Sequence, residues 1–149
     1  MLTLHAAPLV RLTPDDAAPL RDAAVAIDGD RIAAVGPLDE LLQEYPRARV
    51  RHWPGTLGPG LVHDAPVPDA PSPRERIHAL LRLGATAVVA ARVTDPELLA
   101  AARRGGVAVL DRPRPSALVK TGRADLAAFD ADGACVATVL AGRLVHRGR

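Results

Sequence analysis

Large rings are scarce in this sequence: Trp53, Tyr45 and Phe129 are its only Trp, Tyr or Phe residues. A core built without them must gather many small contacts, and the apolar 48% of the chain is mostly Ala, Val and Leu. Such a core suits narrow sheet-on-sheet or helix-on-sheet packing better than a wide ligand cavity. Three rings also give little on which nucleic-acid bases could stack. Cysteine is reduced to Cys135, which excludes an internal disulfide and a cysteine-based zinc site; set among strand residues, it reads as a small core hydrophobe. Serine occurs only at positions 72 and 116, one at a helix start and one in a proline loop, and neither lies in a nucleophile-elbow pattern. No apolar run approaches the length that crosses a bilayer, and the first residues carry no basic leader. The expectation is a cytoplasmic protein with no membrane partner.

The charge that is present is nearly all arginine, with Lys120 the single lysine. Residues 1–70 hold 6 arginines against 10 carboxylates, and residues 71–149 hold 13 bases against 7, for a formal net charge of +2. The arginines are spread along the chain, so a solvated basic face is expected and a nucleic-acid partner is not.

A length of 149 residues is that of one domain with a real core. Leu2–Leu12 reads as a first strand, with Pro8 marking an edge or a bend. Ala23–Ile27 and Arg31–Val35 alternate about Asp28-Gly29, the signature of a tight hairpin. A short helix follows from Pro37, with Leu38, Leu41, Leu42 and Tyr45 on one face, then a strand over Ala48–Trp53. Four prolines between Asp64 and Pro73 make an extended strap. Ser72-Pro73-Arg74-Glu75 is a capping box opening a helix with Ile77, Leu80 and Leu81 inward, and Gly84 ends it. Thr86–Ala91 and Val107–Leu110 read as buried strands flanking a helix that starts at Thr94-Asp95-Pro96-Glu97, buries Leu98, Leu99 and Ala102, and stops at Gly105-Gly106. That is a βαβ unit with parallel strands. Asp111–Pro115 is a second strap. Strands then return over Asp125–Asp130, Cys135–Leu140 and Arg143–His146.

The junction Gly55-Thr-Leu-Gly-Pro-Gly-Leu-Val-His-Asp-Ala-Pro-Val67 resembles the entry to the catalytic barrel in the amidohydrolase superfamily, in the imidazolonepropionase and aminodeoxyfutalosine deaminase branch. There the pattern is Pro-Gly-Leu-Val/Ile-Asp/Asn-x-His-x-His, and its two histidines hold the catalytic metal. The stretch Val25–Gly36 resembles that family's N-terminal hairpin, and Gly122–Asp130 with Val139–Val145 its C-terminal return. The resemblance implies a β-sandwich-like composite domain built from both chain termini (residues 1–62 and 119–149), an α+β fold. A barrel needs roughly 250 residues, so residues 63–118 have room only for the straps and a small βαβ (α/β) insert in its place. The two metal-ligand positions fall on Ala65 and Val67, neither of which binds an ion.

The remaining histidines, His5, His52, His63, His78 and His146, include no pair two or four residues apart. His63-Asp64 with His78 could ligate a metal chemically, but neighbours on an extended strand point to opposite faces. No catalytic, metal or cofactor residue is therefore assigned. Gly58-x-Gly60 and Gly105-Gly106 read as tight turns, since neither opens a helix after a strand as a phosphate loop does. Ligands of a βαβ unit prefer the carboxyl ends of its strands. Those ends carry Arg92, Thr94, Asp111 and Arg112, beside a helix start with free N–H groups, as weak candidates for a small anion. The leading expectation is a non-catalytic interaction or structural module that self-associates as a homodimer, because removing a barrel uncovers an apolar face. A protein binding or regulated by a small metabolite, with a small anionic metabolite as the candidate partner, is the alternative, and a cryptic metal-dependent hydrolase a third reading.

Overall fold

The structure, a computed structural model, describes residues 2–148. Its organising strand is β1 (Leu2–Val10), which pairs antiparallel along its whole length with β2 (Leu20–Asp28). Gly29, at φ 62°, turns β2 into β3 (Arg31–Pro37), as the Asp-Gly pair predicts. On its other side β1 changes partner midway. Residues 3–6 pair in parallel with β4 (Arg49–His52), whereas Leu9 and Val10 pair in parallel with β5 (Thr56–Pro59). Pro8 stands at the fork; it has no N–H to donate and lies exposed between the two registers. The bend expected from that proline is thus a change of partner.

From β5 the sheet continues antiparallel into β9 (Leu126–Phe129), β10 (Cys135–Leu140) and β11 (Arg143–Arg147). The two terminal segments therefore meet edge to edge in one eight-stranded sheet, through the pairing of Gly58 with Ala127. The composite of the two termini is the one expected, but the sheets are joined rather than separately stacked. The sheet curls on itself: Val25 and Ile27 of β2 share a buried cluster with Leu57, Leu126, Ala128 and Val139. On the other face of β1 and β2, Leu4, Ala6, Ala24 and Ala26 are covered by Leu41 of α1 (Leu38–Glu44). Alanines on both faces of β2 bring the layers close, which is how a core poor in rings fills its volume.

The inserted segment forms a second, parallel sheet in the order β6 (Leu61–His63), β7 (Ala85–Val89), β8 (Ala108–Leu110). Helices α2 (Pro73–Arg82) and α3 (Pro96–Arg104) form the crossovers, so two βαβ units stand where the sequence predicts one. The strand it misses, β6, is three residues long and carries no alternation to detect. Ser72 caps α2 as expected: its Oγ accepts the Glu75 N–H at 3.2 Å and its hydroxyl reaches the Glu75 carboxylate at 3.0 Å. The second capping signal is not used. Asp95, not Thr94, is the N-cap of α3, and no side chain caps that helix.

Both helices bury their apolar stripes in a cluster with Leu140, and Val145 packs against it, so the insert is seated on the C-terminal half of the large sheet. At the contact, the fully buried Thr138 hydroxyl donates to the Leu81 carbonyl of α2 at 2.6 Å. Thr138→Val keeps the shape and removes the side-chain donor, leaving the Leu81 carbonyl to backbone N–H groups such as that of Gly84 at 3.0 Å. It is expected to lower stability by about 1–2 kcal/mol in urea unfolding, with the slope unchanged. No helix among the described residues is long and apolar enough to cross a membrane.

Candidate functional site

Parallel strands bring the carboxyl ends of β6, β7 and β8 to one side, where the sequence places the weak anion candidates. Arg92, Thr94, Asp111 and Arg112 are all exposed there. Arg92 follows β7 in a 3-10 turn (Ala90–Arg92), and its Nε lies 3.2 Å from an oxygen of Asp64, just after β6. Its Nη2 also donates to the Asp64 carbonyl at 3.4 Å. The guanidinium thus joins two strand ends. Because both partners are well exposed, the pair contributes little stability.

The positions that resemble a metal-ligand pair are just as informative. Strand β6 ends at His63, so residues 65 and 67 lie beyond it on the proline strap. Ala65 is exposed, and Val67 is buried in the apolar cluster with Ile77, Leu80 and Val88. The strap is held by Arg76 of α2, whose Nε and Nη2 donate to the carbonyls of Pro68 at 3.1 Å and Val67 at 3.2 Å. His63 bonds through Nε2 to the Pro66 carbonyl at 3.2 Å, and Asp64 faces Arg92. His78 stands on α2 beside Arg74. Among the described residues no three His, Cys, Asp or Glu side chains gather.

The glycines of the junction are not the tight turns that the sequence suggests. Gly58 lies within β5, and at Gly60 a Cβ would sit 2.1 Å from Oγ1 of the buried Thr86. Gly60 leaves room for the Thr86 side chain of β7 against its backbone, and its N–H donates to the Asp125 carbonyl at 2.9 Å. The Asp125 carboxylate takes both oxygens to Arg123 Nε, at 2.9 and 2.8 Å, and accepts the Ala141 N–H at 2.9 Å. Arg123 also donates to the Thr86 carbonyl at 3.4 Å, joining the C-terminal return to the insert. Gly-Arg-Ala-Asp is visible in the sequence, but this cross-chain role is not.

Cys135 departs from the core residue expected. It is half-buried and lines an open groove of about 530 Å³ with Leu83, Phe129 and His146. Burial pushes its thiol pKa up, against the smaller effect of contacts with Thr138 and Ala137, so the thiol is not activated. The large downward shift of His5 arises in the sheet instead. Burial, and then the charge of Arg51, drive its imidazole down to about 4. A strongly shifted group often marks a functional site, but this ring is packed against Trp53, which donates to it at 3.0 Å, and has a structural explanation. A further group escapes the sequence because its members come from three separate elements: Arg74, His78, Arg104 and Arg143 line one cleft between α2, α3 and β11.

Residues 23–48, covering most of β2 and all of β3 and α1, match the model of the imidazolonepropionase-like composite domain of bacteria. Among curated proteins none matches the chain. Solved structures similar in fold include guanine deaminase from Bradyrhizobium japonicum, at 14% identity and a TM-score of 0.54, covering 73% of this chain and 34% of that one. An adenosine deaminase from Xanthomonas campestris, solved with bound zinc, is similar at 21% identity and a TM-score of 0.53, covering 80% of this chain and 36% of that one. The A. niger ochratoxinase follows at 24% identity and a TM-score of 0.51, with 72% and 30% covered. The chain spans only 28% to 36% of the length of the solved relatives it resembles. Residues 23–48 are thus similar to the imidazolonepropionase-like composite domain, and the fold is one shared with part of each of these solved structures, with the two halves of the large sheet joined here by residues 63–118.

Proposed function

We propose that this chain is a non-catalytic member of the imidazolonepropionase-like group, a cytoplasmic structural or interaction module that self-associates. The observation that carries the reading is Val67. Where the resemblance calls for an imidazole gripping a cation, an isopropyl group is buried against the stripe of α2. A histidine there would face apolar side chains and lose solvation without a partner. The neighbouring groups that could substitute are engaged locally, Asp64 with Arg92 and His63 with the Pro66 carbonyl. Self-association is supported by apolar side chains left at the surface. Val119 is 55% exposed and Leu12 39%, and the two lie in segments joined by the Leu118 N–H to Leu12 carbonyl bond.

The test pairs elemental analysis with turnover. Purified protein is expected to retain well under one zinc per chain and to leave cyclic amides and aminopurines unchanged with zinc added. Zinc at near-unit stoichiometry, or turnover that rises with it, would overturn the reading. Light scattering after size exclusion is expected to give twice the 15.6 kDa chain mass; a monomer at all concentrations would remove self-association from the proposal. A metabolite-binding role is the second reading, favoured by the cleft described next.

A further inference from the structure

Three elements deliver basic side chains to one concave surface. Arg74 and His78 come from α2, Arg104 from the last turn of α3 and Arg143 from the start of β11, and together they rim a cleft of about 360 Å³. Ile77 and Leu81 contribute apolar surface to it, and among the described residues no carboxylate lines it. Among the described residues none of the three guanidiniums takes part in an ion pair. Many exposed arginines need no partner, because water serves them; what singles these out is convergence. Like charges gathered over an apolar wall repel one another and raise the local potential for anions. The helix ends explain only part of the set. Arg104 lies at the carboxyl end of α3, where a cation is favoured, but Arg74 stands in the first turn of α2, where it is disfavoured.

We propose that this cleft binds a small organic polyanion, its oxyanion groups held by Arg74, Arg104 and Arg143 and its carbon skeleton against Ile77 and Leu81. Guanidiniums hold phosphate and carboxylate through paired hydrogen bonds, so both classes satisfy the chemistry. The inference does not depend on whether the chain is catalytic. It is distinct from the candidate at the strand ends, where Arg92 is paired with Asp64.

Calorimetric titration of the full chain with pyrophosphate, citrate and adenosine 5′-diphosphate tests it, with the phosphate and carboxylate arms separating the two classes. Saturable binding of at least one probe is expected at low salt, weakening toward about 0.15 M. The double variant R104A/R143A is expected to bind at least ~10-fold more weakly, the loss of about 1.4 kcal/mol or more, while Arg92→Ala binds as the parent does. Both replaced side chains are exposed, so the variant keeps its fold, which circular dichroism checks; the lysine pair R104K/R143K serves as a second, charge-conserving variant and is expected to recover part of the affinity. Absence of saturable binding by all three probes, affinity unchanged in R104A/R143A, or saturable binding to duplex nucleic acid alone would overturn the proposal.

Discussion

Gly142→Ala is expected to destabilise the protein by about 3–4 kcal/mol, and Gly133→Ala by only about 1 kcal/mol. The two glycines have nearly the same backbone, at φ 82° and 83°, so the strain that alanine adds at positive φ is common to both. Their surroundings separate them. Nothing lies within 4 Å of a Cβ at Gly133, whereas one at Gly142 would sit 1.9 Å from the Gly29 carbonyl oxygen and 3.2 Å from the Asp30 Cα. Those atoms belong to the turn of the β2–β3 hairpin, and no rotamer change relieves a collision between two backbones. Gly142 thus marks where the C-terminal return is pressed onto the N-terminal half. The same contact is sealed by Ala124 N–H to the Asp30 carbonyl at 2.8 Å and Ile32 N–H to the Gly122 carbonyl at 2.9 Å. Urea unfolding of both variants checks the expectation. Equal losses would mean that the turns are not in register contact in solution.

The stability of the native protein is expected to fall as pH drops from about 6.5 to about 4, by on the order of 3 kcal/mol from His5 alone. Tryptophan can only donate, so the 3.0 Å bond from Trp53 Nε1 fixes His5 Nδ1 as the acceptor and places the ring proton on Nε2. Protonating Nδ1 would break that bond, in a site 3% exposed with Arg51 beside it in register and Arg147 5.6 Å above the Trp53 ring. The native imidazole therefore resists a proton down to about 4, while the unfolded chain accepts one from about 6.5. Between those values the unfolded state binds more protons, so stability is present above the window and is lost as pH falls through it. Carboxylates titrate in the same range, and a His5→Asn variant separates them, since its amide oxygen can accept from Trp53 without titrating. The stability advantage of the parent over His5→Asn is expected to shrink by about 3 kcal/mol between pH 7 and pH 4. A difference that stays constant would show that His5 is not the group responsible.

The parts of this fold that were legible share one property: their signals lie within a few residues. Asp28-Gly29 between two alternating stretches names the hairpin, and Ser72-Pro73 with Glu75 names the start of α2. The spacing of Leu98 and Ala102 names the buried face of α3. The short strands β5 and β6 were not legible. Their glycines and prolines carry turn chemistry locally, and they become strands only because β9 and β7 offer hydrogen-bonding edges to them. Thr94 misled for the opposite reason, as a sound local capping signal that the chain leaves unused. Arg74, Arg104 and Arg143 each read as solvated arginine on its own element, and nothing in their spacing announces a common cleft.

By itself the sequence determined the composite character of the domain, its three helices, the hairpin at its N-terminal end and the apolar residues where metal ligands would stand. The helices and the hairpin follow from side-chain type and short-range period, which act before any long-range contact exists; the composite character and the metal-ligand positions are what the family resemblance implies. Only the tertiary structure decided that the two halves form one sheet, that β1 changes partner at Pro8, that Val67 is buried against α2, and that the cations meet between the helices. A strand's partner is chosen by which edge is free and which face must be covered once the whole chain has collapsed. That choice is made between residues as distant as Gly58 and Ala127, so no local window contains it.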